Sequence, residues 1–274
     1  MCGLRDEAGV MVDVCLLSAP PFAHIKWPSN GTVALVLDGV AVPNVARSIY
    51  EWSGGAAKTE CLYAGTRWEP VSDFAPWIVW LESEKDPVLA AFLERGAAQE
   101  WGYLLVTNYC PDALRDYLRQ LTVIERMPGC VELIRIAHPE MARRLIGEGL
   151  MLPGRDLPQD LVSQVASPNL VSGTWISQEP SRNTGDPGNE GTPKNVEALN
   201  AAFCAFNRRR DNLALWEMMD SPVRKWLGGP TIKDAFRKLD QITEEAESCG
   251  HAGPRHKFLY LLDRYRNDRL LSHT

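Results

Sequence analysis

Between Thr32 and about Ile146, short β-rich runs alternate with segments whose apolar residues recur at helical spacing. This is the habit of an α/β layer in which helices cover a sheet. The run Val33-Ala34-Leu35-Val36-Leu37 is continuously apolar and ends at Asp38-Gly39, which predicts a strand buried on both faces and closed by a turn. Pro43 suits the first turn of a helix reaching about Trp52, because the N–H that proline lacks would have no helical partner there. Further strands are expected at Thr59 to Tyr63, Trp77 to Leu81, Trp101 to Thr107, Leu121 to Glu125 and Cys130 to Ile136, each bounded by glycine, proline, aspartate or charged residues. Helices are expected over Val88 to Arg95, Ala113 to Gln120 and Glu140 to Ile146, opened by Pro87, Pro111 and Pro139.

From Ser172 to Pro193 the pattern gives way to Ser, Gly, Thr, Pro, Asn and charged residues, with Trp175 and Ile176 as the main apolar exceptions. Such a segment has little to bury against the entropy of ordering it, which predicts a flexible linker or loop over 172–193, mobile from Pro180 onward. Helical periodicity then takes over in three sets: Val196, Leu199, Phe203 and Phe206; Ile232, Phe236, Leu239 and Ile242; Phe258, Leu262 and Tyr265. Thr231 followed three residues later by Asp234, after the break Gly228-Gly229-Pro230, reads as a helix start. The expected fold is an α/β N-terminal lobe, a mixed sheet covered by helices, followed by a smaller all-α C-terminal lobe. Its segments are 1–171, the linker 172–193 and the helical lobe 194–274.

Composition leaves this picture intact. With 274 residues, 45% hydrophobic and 23% charged, the protein has the make-up of an ordinary globular one. Val10 to Leu17 is interrupted by Asp13, follows Asp6 and Glu7, and leads into Pro20-Pro21. It is expected to be neither a membrane span nor a signal peptide, so folding is expected to finish in the cytoplasm. The seven cysteines are scattered without a Cys-x-x-Cys pair, which predicts mostly buried thiols in a reducing compartment rather than a disulfide framework or metal site. The net charge of −6 divides unevenly: 15 basic against 24 acidic residues before Lys194, and 14 against 11 from it onward. Uneven charge of this size reads as solvated surface, and nothing in it predicts nucleic-acid binding.

Chemistry-bearing candidates are few. Gly54-Gly55-Ala56-Ala57-Lys58-Thr59 approaches a phosphate-cradling loop, but Ala57 stands where glycine is required and Trp52 where the first glycine belongs. His251 and His256 are separated by Gly253-Pro254 and cannot share a helix face as a metal-binding pair does. Glu82, Glu84 and Asp86 read as a solvated turn rather than an acid–base pair. Trp216 and Trp226 flank Ser221-Pro222, and Arg208 and Arg209 lie in an arginine run. These four are the candidate partner-binding residues of the helical lobe, since tryptophan and arginine anchor interfaces, although core packing is the commoner role of any one tryptophan. The expectation is no enzyme, no metal and no cofactor.

A series of short motifs over Val33–Met141 resembles the type VI secretion effector adaptors of the Tap/TEC type, a family catalogued as a domain of unknown function. The opening strand of that family ends in Leu-Asp-Gly, as does Val36-Leu37-Asp38-Gly39 here. Leu62-Tyr63-Ala64-Gly65-Thr66 matches a later Leu-Tyr-x-Gly-Thr, and Ala75-Pro76-Trp77-Ile78-Val79-Trp80-Leu81 an Ala-Pro before an apolar strand. Trp101-Gly102-Tyr103-Leu104-Leu105-Val106 and Leu114-Arg115-Asp116-Tyr117-Leu118-Arg119 follow in order. Ile134-Arg135-Ile136-Ala137-His138-Pro139-Glu140-Met141 is similar to Phe-Arg-Phe/Tyr-Tyr-Asp-Pro-Arg-Val, with Arg135 and Pro139 fitting, His138 in place of Asp and Glu140 in place of Arg.

The resemblance implies a chaperone-like adaptor that turns nothing over, binds a cognate secreted effector at its N-terminal region and loads it onto the VgrG spike. Its marker positions are Asp38, Gly39, Tyr63, Gly65, Pro76, Arg135, His138 and Pro139. An α/β enzyme, hydrolytic or nucleotide-utilising, and a structural scaffold of the secretion apparatus are the alternatives, because fold alone decides none of them.

Overall fold

In the computed structural model, which describes residues 27, 31–127, 129–150, 158, 160–180 and 193–271, the apolar run after Thr32 becomes β1 (Thr32–Asp38), an interior strand of a six-stranded sheet. The other strands are β2 (Lys58–Cys61), β3 (Pro76–Leu81), β4 (Gly102–Thr107), β7 (Gln164–Asn169) and β8 (Thr174–Gln178), in the order β2-β3-β1-β4-β7-β8. Each pairing is antiparallel, with Asp38 opposite Pro76 and Leu37 opposite both Trp77 and Gly102. A separate hairpin joins β5 (Val123–Met127) to β6 (Cys130–Leu133).

Paired at both edges and buried on both faces from Val33 onward, β1 has no solvent face to supply, which is why Val33–Leu37 is continuously apolar. Val33, Leu35 and Leu37 pack with Val79, Leu81, Leu104 and Val106 against Val45 and Ile49 of α1 (Val45–Ser53) and against Val88, Leu89 and Phe92 of the helical segment after Pro87. Each such side chain contributes about 1.5–3 kcal/mol when fully buried. The alternation of a strand turns Ala34, Val36 and Asp38 to the other face.

Prolines open the helices as expected. Pro87 starts α2 (Pro87–Ala91), which runs on into a π turn to Gly96; Pro111 starts α3 (Pro111–Gln120); Pro139 starts α4 (Pro139–Ala142), also continued by a π turn to Gly147. Asp86 caps α2 by accepting from Val88 N–H at 2.9 Å. Pro43 is the exception, lying before rather than inside α1. Asn44, in the left-handed region at φ 48°, turns the backbone between them, a conformation asparagine tolerates better than most residues.

The expected α/β lobe followed by helices is what the fold contains. The chain divides into two compact units, residues 16–202 and a second that includes 203–274. Part of the stretch read as a linker, Thr174–Gln178, is the strand β8, paired with β7; backbone pairing and the burial of Trp175 offset an otherwise polar composition. Residues 181–192, the bulk of the segment expected to be mobile, and residues 10–17, read as neither span nor signal, lie outside the described residues.

The second unit holds most of α5 (Pro193–Glu217), then α6 (Ser221–Leu227), α7 (Ile232–Ser248) and α8 (Pro254–Leu271). Thr231 caps α7 as its spacing predicts, with Asp234 N–H donating to its hydroxyl at 3.4 Å. Ile232, Ala235, Leu239, Ile242 and Ala246 form the buried stripe of α7. Lys257 of α8 is buried between Asp211, at 3.1 Å, and Glu247, at 2.7 Å. No helix of the described residues is long and apolar enough to cross a membrane. Of the described free cysteines only Cys61 is buried. Cys110, Cys204 and Cys249 are exposed, because they fall at the start of α3, on the outer face of α5 and at the end of α7 rather than on core positions.

Candidate functional site

The turn after β1 starts the site. Asp38 closes the strand, and its carboxylate accepts from Val40 N–H at 3.0 Å and from Arg135 Nε at 2.7 Å. Asp38 is 1% exposed. Burial pushes its carboxyl above the ordinary value, opposed by the Arg135 guanidinium and the Val40 and Ala41 amides. Arg135 arrives from the far side of the β5–β6 hairpin, and Ile134 N–H bonds Thr122 C=O at 2.7 Å to fix that segment.

Two further segments are fastened to this pair by backbone bonds. Gly39 N–H donates to Ala75 C=O at 3.1 Å, an approach so close that a Cβ at position 39 would collide with the Ala75 oxygen. That steric demand, rather than left-handed backbone, is what requires glycine here. Leu62 N–H donates to Pro76 C=O at 2.9 Å, tying the Tyr63 turn to the start of β3. The same turn is clamped from α3, where Arg119 Nε and Nη2 donate to Leu62 C=O and Ala64 C=O at 3.2 and 2.8 Å. Gly65, at φ 69°, completes it and donates to Glu69 Oε2 at 3.0 Å.

Between these segments opens a pocket of about 270 Å³ lined by Asp38, Val40, Tyr63, Val71, Phe74, Pro76, Leu133, Ile134, Arg135 and Ala137. Its rim is apolar and uncovered: Phe74 is 62% exposed and Val40 53%, with Leu133 and Val71 also exposed. Single exposed apolar residues are ordinary, but several gathered round one concavity with a charged pair beneath have the anatomy of an interaction site. Tyr63 is almost wholly buried at the pocket wall, and its phenol is pushed up to about 12 by burial first and by the Asp38 charge second. It keeps its proton at neutral pH.

Of the marker positions, Asp38, Tyr63, Pro76 and Arg135 line the pocket and Gly39 holds its wall, while Gly65, His138 and Pro139 stand outside it. The substituted pair is accommodated. His138 Nδ1 caps α4 by accepting from Glu140 N–H at 3.2 Å, and Glu140 bridges Arg143 and Arg144 at 2.5 and 2.8 Å. Arg143 in turn donates to Ser167 Oγ and Pro168 C=O on β7. His138 and Glu140 thus supply a helix cap and two ion pairs of their own.

In the helical unit the four partner-binding candidates are engaged internally. Trp216 is 5% exposed and covered by Arg224, whose guanidinium lies 4.7 Å from its ring centroid. Trp226 packs on Tyr265, carries the Lys238 ammonium 4.0 Å above its ring and donates to Asp268 at 3.0 Å. Arg208 pairs with Glu244 at 2.7 Å, and Arg209 is buried. Their geometry is that of packing residues.

The segment resembling a phosphate loop leads from the end of α1 into β2, so Lys58 and Thr59 open a strand and not a helix. Lys58 faces Glu82 at 3.5 Å and Thr59 Oγ1 donates to Ile78 C=O at 2.9 Å. The converging amides of a helix N-terminus, which such loops aim at phosphate, are missing from this arrangement. Among the described residues no group of three or more His, Cys, Asp or Glu side chains is placed to hold a metal ion.

The rim residues Val40, Val71, Phe74 and Leu133 were not among the sequence candidates. Val71 and Phe74 sit in a short 3-10 segment, Glu69–Phe74, too brief to show a period. The available signal was two large apolar residues within the otherwise polar run Glu69-Pro70-Val71-Ser72-Asp73-Phe74.

Comparison with known proteins places a family over this region. The model of a domain of unknown function (DUF4123), a family associated with type VI secretion effectors and their adaptors, matches residues 35–148. That span contains every residue lining the pocket. No curated protein and no solved structure matches the sequence.

Proposed function

We propose that this protein is a non-enzymatic adaptor that binds a cognate type VI secretion effector and loads it onto the VgrG spike. The observation that carries the reading is the convergence of Asp38, Tyr63, Pro76 and Arg135, drawn from separate segments of the family-matched region, on one open apolar pocket. An ion pair between buried Asp38 and partly exposed Arg135, which costs desolvation chiefly on the carboxylate, here fixes the walls of a cavity whose rim is left bare. That arrangement suits holding a partner's side chain.

The test is co-expression of the full-length protein with the effector and spike proteins encoded beside its gene, followed by size-exclusion chromatography. The adaptor reading expects co-elution with the effector and, through it or directly, with the spike. Separate elution of all three at micromolar concentrations would overturn it.

A further inference from the structure

The polar side chains lining the pocket leave it with spare donors. Asp38 Oδ1 and Oδ2 each already accept a hydrogen bond. Arg135 donates through Nε alone, and its two terminal nitrogens have no partner among the described residues. The Tyr63 hydroxyl likewise has no hydrogen-bond partner among the described residues, though Tyr63 is 5% exposed. A guanidinium with its terminal N–H groups free, on a side chain that is 27% exposed, and a protonated phenol are donors that an incoming acceptor can engage. The missing complement is an acceptor, and next to a cation the best acceptor is an anion.

Size narrows the occupant. At about 270 Å³ the pocket falls just under the ~300 Å³ lower end of cavities that take whole small ligands. It has room for one large side group entering past Phe74, Val40, Val71 and Leu133. An aromatic or long aliphatic group seated on apolar walls, with a rigid polar contact at its base, is the usual composition of an interface anchor.

Resting on the adaptor reading, we infer that the pocket takes a large apolar residue of a protein partner with a carboxylate beside it, held by the Arg135 guanidinium and the Tyr63 hydroxyl. Either the partner's terminal carboxylate or an Asp or Glu neighbour supplies that chemistry.

The test is an NMR titration of the isotope-labelled full-length protein with three probes: N-acetylphenylalanine, its amide, and N-acetyl-aspartyl-phenylalanine amide. The expected result is saturable shifts at Val40, Phe74, Leu133 and the Arg135 guanidinium. At least one carboxylate probe should bind about tenfold tighter than the neutral amide, as for a charge-assisted hydrogen bond. Which of the two wins separates a terminal carboxylate from that of an Asp or Glu. Tyr63→Phe, which removes a single oxygen and spares the fold, should cut the carboxylate preference about fivefold, and Phe74→Ala should weaken all three probes. Equal binding of all three probes, an unchanged preference in Tyr63→Phe, or shifts confined to other surfaces would overturn the inference. A protein that co-elutes with its effector yet treats the probes alike contradicts this ligand and leaves the adaptor reading standing. One that prefers the acid but co-elutes with no effector does the opposite.

Discussion

Arg135 Nε meets Asp38 Oδ2 at 2.7 Å across 97 positions of sequence, joining the end of the central strand to the segment that follows the β5–β6 hairpin. Asp38 is buried and Arg135 partly exposed, so the two ends of the bond are unequal. Losing the arginine strands a carboxylate away from water, whereas losing the aspartate leaves a cation that can still turn toward solvent.

Arg135→Ala should therefore cost about 2–3 kcal/mol at pH 7. Burial already raises the Asp38 carboxyl, and without Arg135 it rises further. The native state then holds a proton that the unfolded state releases near 3.8, so stability falls as pH climbs through that window. Urea denaturation at pH 4 and pH 7 checks this: the variant's deficit should be smaller at pH 4. An equal deficit at both would mean that the pair contributes little through charge.

Gly39→Ala should destabilise the protein by about 1–3 kcal/mol, since the new Cβ must push the Ala75 carbonyl away and strain the bond from residue 39 to it. Thermal unfolding measures the loss, and amide signals of Phe74 and Ala75 should move with it.

Alkaline pH provides a third check. Burial pushes Tyr63 and Tyr117 up to about 12 and Tyr103 well above its ordinary value. Between the unfolded value near 10 and the folded one, the native state binds more protons. The stability these residues contribute is thus complete below pH 10 and lost as pH rises through about 12. A spectrophotometric titration should show part of the tyrosine absorbance appearing only above pH 11, together with unfolding. Tyr63→Phe should remove one such late-ionising group.

Much of the fold was legible because its elements carry strong local signals. The β1 run is apolar without interruption and stops at Asp38-Gly39, and Pro87, Pro111 and Pro139 mark helix starts. The strands β7 and β8 were missed for physical reasons. Gln164-Val-Ala-Ser-Pro-Asn has no alternation and contains Pro168, which cannot donate to a ladder and lies beyond the stretch paired with β4. In β8 only Trp175 and Ile176 are apolar, adjacent to each other among polar neighbours, which shows no strand alternation. For the site, the motif series supplied Asp38, Tyr63, Pro76 and Arg135 without their convergence, which depends on long-range bonds such as Leu62 N–H to Pro76 C=O. Exposed Phe74 and Leu133 carry at most a weak sequence signal, because an interface residue and a loop residue look the same until a pocket lies between them.

The bare rim leads to the most direct test. Phe74 is 62% exposed, so Phe74→Ala should leave stability within about 0.5 kcal/mol of the parent, as surface substitutions do. If the pocket is where a partner is held, the same change should weaken binding of the co-expressed effector, measured by titration calorimetry, at least tenfold, as expected for an interface anchor. Unchanged effector affinity in a folded Phe74→Ala variant would contradict the account.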